Sequence, residues 1–70
     1  MELVWEKDTQ GYWTADYRGS TLGVIQLAGV WRWEATVNGI RLRQGAEASY
    51  HLAKAAAMDA AISIAEEGAD

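Results

Sequence analysis

The stretch Val30-Trp31-Arg32-Trp33-Glu34-Ala35-Thr36-Val37-Asn38-Gly39-Ile40 decides the fold. Between Val30 and Val37 the side chains alternate: Trp31, Trp33, Ala35 and Val37 fall on one side, Arg32, Glu34 and Thr36 on the other. A period of two marks a β-strand with one buried face. Asn38-Gly39 then reads as a two-residue type I′ hairpin turn, since both central positions need positive φ and these residues accept it. The chain doubles back into a short strand at 40–43, whose Arg41 and Arg43 suit an edge by discouraging pairing with other chains.

Working towards the N-terminus, residues 21–27 read as a strand with both faces partly covered, because they are rich in Leu, Val and Ile. Gly23 inside it predicts a bulge or the close approach of another backbone. Arg18-Gly19-Ser20 and Ala28-Gly29 are its flanking turns. Residues 12–17 form the preceding strand, with Trp13, Ala15 and Tyr17 on one face and Tyr12, Thr14 and Asp16 on the other. Asp8-Thr9-Gln10-Gly11 is a turn, and residues 2–7 supply a first strand that points Leu3 and Trp5 one way.

Towards the C-terminus the period changes to that of a helix. Ser49 fits an N-cap, a start near Ala46 is the alternative, and Gly68 fits the C′ position. At 100° per residue Ala53, Ala56, Ala57, Ala60 and Ile64 share a face, with Tyr50 on its flank. Small residues there let the helix approach closely while tryptophans fill the gap, so Trp13, Trp31 and Trp33 are expected beneath it. Glu66 and Glu67 sit at the negative end of the helix dipole and predict a frayed last turn. The expectation is one α+β domain over residues 1–70: an antiparallel meander sheet of four or five strands across 2–43, with a single C-terminal helix, about 47–67, packed on one face.

Composition excludes several function classes. The 70 residues contain no cysteine and one histidine, so disulfides and zinc sites built on Cys or several His are ruled out. The first residues lack the basic and apolar regions of a signal peptide, and no apolar run reaches the ~20 residues of a membrane span, so no membrane association and a cytoplasmic location are expected. Charge is uneven: residues 1–44 are neutral, whereas 45–70 carry the whole net charge of −4. An acidic helix repels phosphate.

No catalytic pattern emerges. His51 has only Glu47 four residues back, an ordinary surface pairing on a helix. Glu66 and Glu67 are adjacent and point apart; Gly19, Gly23 and Gly29 are scattered and form no phosphate loop. No enzyme activity, cofactor or metal is expected. The outer sheet face, with Tyr12, Thr14, Asp16, Arg32, Glu34, Thr36 and one or other of Arg41 and Arg43, reads as solvated sheet of mixed charge. One feature departs from a simple amphipathic helix: His51, Ala55, Met58, Ile62 and Ala65 form a second stripe away from the alanine face.

Two resemblances accompany these readings. Val37-Asn38-Gly39, Gly45, Ser49, Ala53-Lys54, Ala57 and Ala61 resemble the last strands and final helix of double-stranded-RNA-binding domains. That family carries a lysine pair at the helix start, where Tyr50 and His51 stand here, and an N-terminal helix where strands are expected. The resemblance implies a nucleic-acid binder with Arg41, Arg43 and Lys54 as phosphate contacts. The wider outline, Gly11 to Ala15, Leu22 to Ile25, Trp31-Arg32-Trp33 and Ala53 to Ala56, is similar to small phage, prophage and proteobacterial proteins. It implies a packing scheme and no activity. The leading expectation is a non-enzymatic protein-interaction or accessory module, acting as a homodimer or on a protein partner through His51, Ala55, Met58 and Ile62. The alternative is the nucleic-acid binder.

Overall fold

A computed structural model describes residues 3–67. Five strands, β1 (Glu6–Lys7), β2 (Trp13–Tyr17), β3 (Ser20–Leu27), β4 (Val30–Val37) and β5 (Ile40–Glu47), are followed by α1 (Tyr50–Glu67). The strands form one antiparallel sheet in the order β1-β2-β3-β4-β5, and α1 packs against β3, β4 and β5. The α+β meander read from the alternation is the fold, with five strands.

Three two-residue turns fold the sheet. Arg18, Ala28 and Asn38 have φ of 48°, 52° and 53°, and the glycine after each is also positive. Positive φ at both central residues is what a type I′ turn requires, and its twist matches that of the strands. Asn38 accepts this region readily, whereas Ala28 enters it with a Cβ penalty. The longer turn before β2 is closed by Asp8, whose Oδ1 accepts the amides of Gln10 (2.8 Å) and Tyr12 (3.0 Å).

Cross-strand register fixes the faces. Trp13, Val24, Trp33 and Gly45 form one row beneath the helix, and Ala15, Leu22, Ala35 and Arg43 form the next. The closed core is small: Leu22, Val24 and Ala35 of the sheet against Ala53, Ala57 and Ala61 of the helix, all at 0 % exposure. Trp13, Trp31 and Trp33 lie on this face as expected, but they are half-buried and ring the core. The alanine stripe brings the helix backbone so close to β3 and β4 that the centre holds only aliphatic side chains, and the indoles flatten outward. Trp33 folds over Gly45, where a Cβ would stand 2.8 Å from the indole, and its Nε1 donates to Glu47 (3.3 Å). Tyr50, the first helical residue, wedges against Trp13 and Trp31 with ring centroids 5.4 and 5.2 Å away. The buried helical face runs Ala53-Ala57-Ala61, so Ala61 joins it while Ala56 and Ala60 sit at its margins.

Several boundaries differ from those read in the sequence. The ladder keeps pairing as far as Trp31↔Glu47, so β5 has eight residues and only Ala48 and Ser49 connect it to the helix. Glu47 is therefore a strand residue bound to Trp33, and the expected helical pair with His51 does not exist. Ser49 is the N-cap: its Oγ accepts the Leu52 amide at 3.2 Å. β1 is two residues long, although Leu3 and Trp5 still pack against the core. The last described turn is held: Arg43 donates to both Glu67 carboxylate oxygens (3.0 and 2.8 Å), and Ser63 adds a third hydrogen bond (3.1 Å). Gly68 and the start of the expected first strand at Glu2 lie outside the described residues.

A candidate docking face

The helix covers one side of the sheet and leaves the other bare. On the bare side a hollow of about 490 Å³ is lined by Tyr12, Gly23, Ile25, Leu27, Arg32 and Glu34 among others. Gly23 explains its shape. A Cβ there would run into the Tyr12 ring, 2.6 Å from Cε1, so the phenol lies flat across the sheet only because Gly23 has no side chain. The close approach expected at Gly23 is thus made by an aromatic side chain rather than a backbone. β3 itself is unbulged: its register with β4 is continuous from Ser20↔Val37 to Leu27↔Val30.

A chain of polar contacts fixes one wall. The Tyr12 hydroxyl donates to Glu34 Oε1 at 2.8 Å; Arg41 Nε lies 3.6 Å from Glu34 Oε2; and an Arg41 terminal nitrogen donates to Gln44 Oε1 at 2.7 Å. The Tyr12 pKa is pushed up to about 12, mainly because the phenol is partly buried and then because it donates to Glu34. The hydroxyl stays a donor throughout the neutral range. Beside this wall Leu27 is 50 % exposed, Ile25 is half-buried, and Arg32 has no hydrogen-bond or ion-pair partner among the described residues. The face combines an apolar floor, a locked polar strip and a free guanidinium.

The pairing of β4 with β5 shifts between Ala35 and Thr36, so that Ala35 opposes Arg43, Thr36 opposes Arg41, and Leu42 is left over. This bulge sends Arg41 to the bare face and Arg43 to the helix side, where it clasps Glu67. Of the two arginines, either of which the sequence allowed on the outer face, it is Arg41 that lies there. Lys54, the third basic residue of the RNA-binding resemblance, stacks over Tyr50 (4.7 Å) and Trp5 (5.5 Å) near the start of the helix. It is about 20 Å of helix away from Glu67 and its partner Arg43. The three cations are separated, and each is already engaged.

The stripe read on the helix is divided as well. His51 is exposed and sits tilted against Tyr50 (5.5 Å between centroids); Ala55 is exposed; Ile62 is half-buried. Met58 packs against the core, sharing a hollow of about 250 Å³ with Leu3, Trp5, Lys54 and Ala55. The N-terminal segment therefore lies alongside its middle. Leu52, which sequence reasoning passed over, is the large apolar residue the helix exposes most, at 54 %.

Among the described residues no three His, Asp or Glu side chains gather where they could hold a metal ion, and no helix is long and apolar enough to cross a membrane. No protein-family model, curated protein or solved structure matches the chain.

Proposed function

We propose that the protein is a non-enzymatic protein-interaction module and that it works through the bare face of its sheet. The supporting observation is the Tyr12–Gly23 contact. It opens an apolar-floored hollow in the middle of a five-stranded sheet and braces its wall with the Tyr12–Glu34–Arg41–Gln44 strip. A rigid, partly apolar surface with fixed donors and acceptors suits contact with another protein surface, which contributes its own apolar and polar groups. The mixed charge of the face, and the dispersal of Arg41, Arg43 and Lys54, favour this over a phosphate backbone, which needs several free cations along one track.

The test is capture of bound protein from the native host at low and high salt, using the wild-type chain and a Leu27→Lys variant. The expected result is a bound protein that survives salt, is lost with Leu27→Lys, and leaves the melting temperature of the two chains alike. Recovery of nucleic acid that disappears with salt would overturn the reading. It would favour the RNA-binding alternative with Arg41, Arg43 and Lys54.

A further inference from the structure

We infer that the occupant of the bare face is an acidic segment of another protein, which sets a carboxylate against Arg32 and a large apolar side chain on Ile25 and Leu27. The inference rests on the reading of that face as the interaction surface and names the chemistry of its partner.

Arg32 differs from the other cations. Lys7, Arg18 and Lys54 each lie over an aromatic ring, Arg41 is held by Glu34 and Gln44, and Arg43 clasps Glu67. Arg32, exposed on β4, has no such partner among the described residues. Its row shows why. The register places Ile25 on one side of it and Ala46 on the other, and neither side chain can pair with a guanidinium. Glu34, two residues along the strand, is the nearest carboxylate in the register of this face; Glu6 and Asp16 stand on β1 and β2, beyond β3. Both Glu34 oxygens are engaged, Oε1 by the Tyr12 hydroxyl and Oε2 by Arg41. The Tyr12–Gly23 contact that opens the hollow thus also occupies the acid that would otherwise neutralise Arg32.

The register ties this charge to the apolar floor. Ile25 lies directly opposite Arg32, and Leu27 is its diagonal neighbour, ~7–8 Å away. A surface that covers both therefore closes over Arg32 as well. Covering a guanidinium with no counter-charge is costly, whereas a carboxylate satisfies the charge and two of the forked donors at once. Arginine tolerates this exchange because it is weakly hydrated and its fork is planar. A phosphate backbone fits less well. It brings further charges on either side, and here they would meet Glu34 or the apolar floor rather than a second free cation, on a chain of net charge −4.

The test selects random linear peptides displayed on phage against the full chain, and then against its Arg32→Glu and Leu27→Lys forms. The wild-type pool should be enriched in Asp or Glu a few positions from a large apolar residue. The Arg32→Glu pool should carry Lys or Arg there instead. A synthetic peptide from the wild-type pool, titrated by calorimetry, should bind Arg32→Gln about tenfold more weakly or worse. Changing its acid to the amide should cost as much on the wild type and little more on Arg32→Gln, which couples the two groups. Melting curves establish that the variants fold, and both changed residues are exposed. A selection that enriches no acidic residue overturns the inference, as do acidic peptides that bind Arg32→Gln undiminished. So does duplex RNA that binds the wild type at low salt and loses Arg32→Gln. Peptides lost with Leu27→Lys but indifferent to Arg32 would leave the proposed function standing and exclude only the acidic partner; peptides indifferent to both changes would sink both readings.

Discussion

The two faces of one sheet are built on opposite terms. Under the helix, Leu22, Val24 and Ala35 meet three alanines with no exposed surface, and the aromatic rings are pushed to the margin. On the bare face a half-buried aromatic ring lies flat, held by a hydrogen bond, over a glycine whose missing side chain makes room for it. Small side chains thus serve closeness on one face and access on the other. The covered face should carry the stability and the bare face the contacts, a division that substitutions can break.

The largest effect should come from Leu22→Ala, which empties the centre of the covered face. It should cost about 2–5 kcal/mol, enough to threaten so small a domain, whereas Leu27→Ala on the bare face should cost under about 0.5 kcal/mol. Chemical denaturation of the two variants decides this, and equal losses would mean that both faces are core. Next is Gly23→Ala. The new methyl displaces the Tyr12 ring and should cost about 1–2 kcal/mol, while the Tyr12 titration, followed by ultraviolet absorbance, moves from about 12 back towards 10. A Tyr12 titration that does not move would show the ring held by something other than this glycine.

Smaller effects sharpen the contrast. Ser20, at 1 % exposure on the covered face, has a hydroxyl without a partner. Replacing it with Ala should leave stability unchanged or raise it by up to about 1 kcal/mol in thermal melts. Ala28→Asn should add a few tenths to about 1 kcal/mol by easing positive φ in its turn.

pH separates the faces in opposite directions. The raised Tyr12 pKa means its contribution is complete below about 10 and is lost as pH rises from there through about 12. Glu67 is shifted the other way, below its ordinary 4.5, chiefly by hydrogen bonds from Arg43 and Ser63. Its small contribution is present above that value and lost as pH falls through the lowered one. Arg43→Ala should weaken the acid-side dependence due to Glu67 and leave the alkaline one intact, as read from melting temperature against pH.

Legibility in the sequence followed the same division. Alternation in Val30–Val37, the Asn38-Gly39 turn and the Ser49 cap made β4, the β4–β5 hairpin and the helix start legible, because these depend on neighbours in sequence. The bulge at Leu42 escaped, since no residue there announces it, and with it went the separation of Arg41 from Arg43. The length of β5 escaped because Gln44-Gly45-Ala46-Glu47 has little strand propensity of its own; it is held by Trp33 folding over Gly45 and bonding Glu47. At the candidate site Gly23 was marked as unusual, but its partner was not identifiable. Tyr12 stands 11 positions earlier, and only the register brings the two together.

The measurement that tests the division most directly is a residue-resolved map of surface protection. Solvent paramagnetic relaxation in NMR would be recorded on the chain alone and again with the captured partner. With the partner bound, protection should grow at Ile25, Leu27 and Arg32, while His51, Leu52 and Ala55 on the outer side of the helix stay as accessible as in the chain alone. Protection that grows instead along His51, Ala55 and Ile62, with the bare face unchanged, would contradict the account and move the interaction surface to the helix.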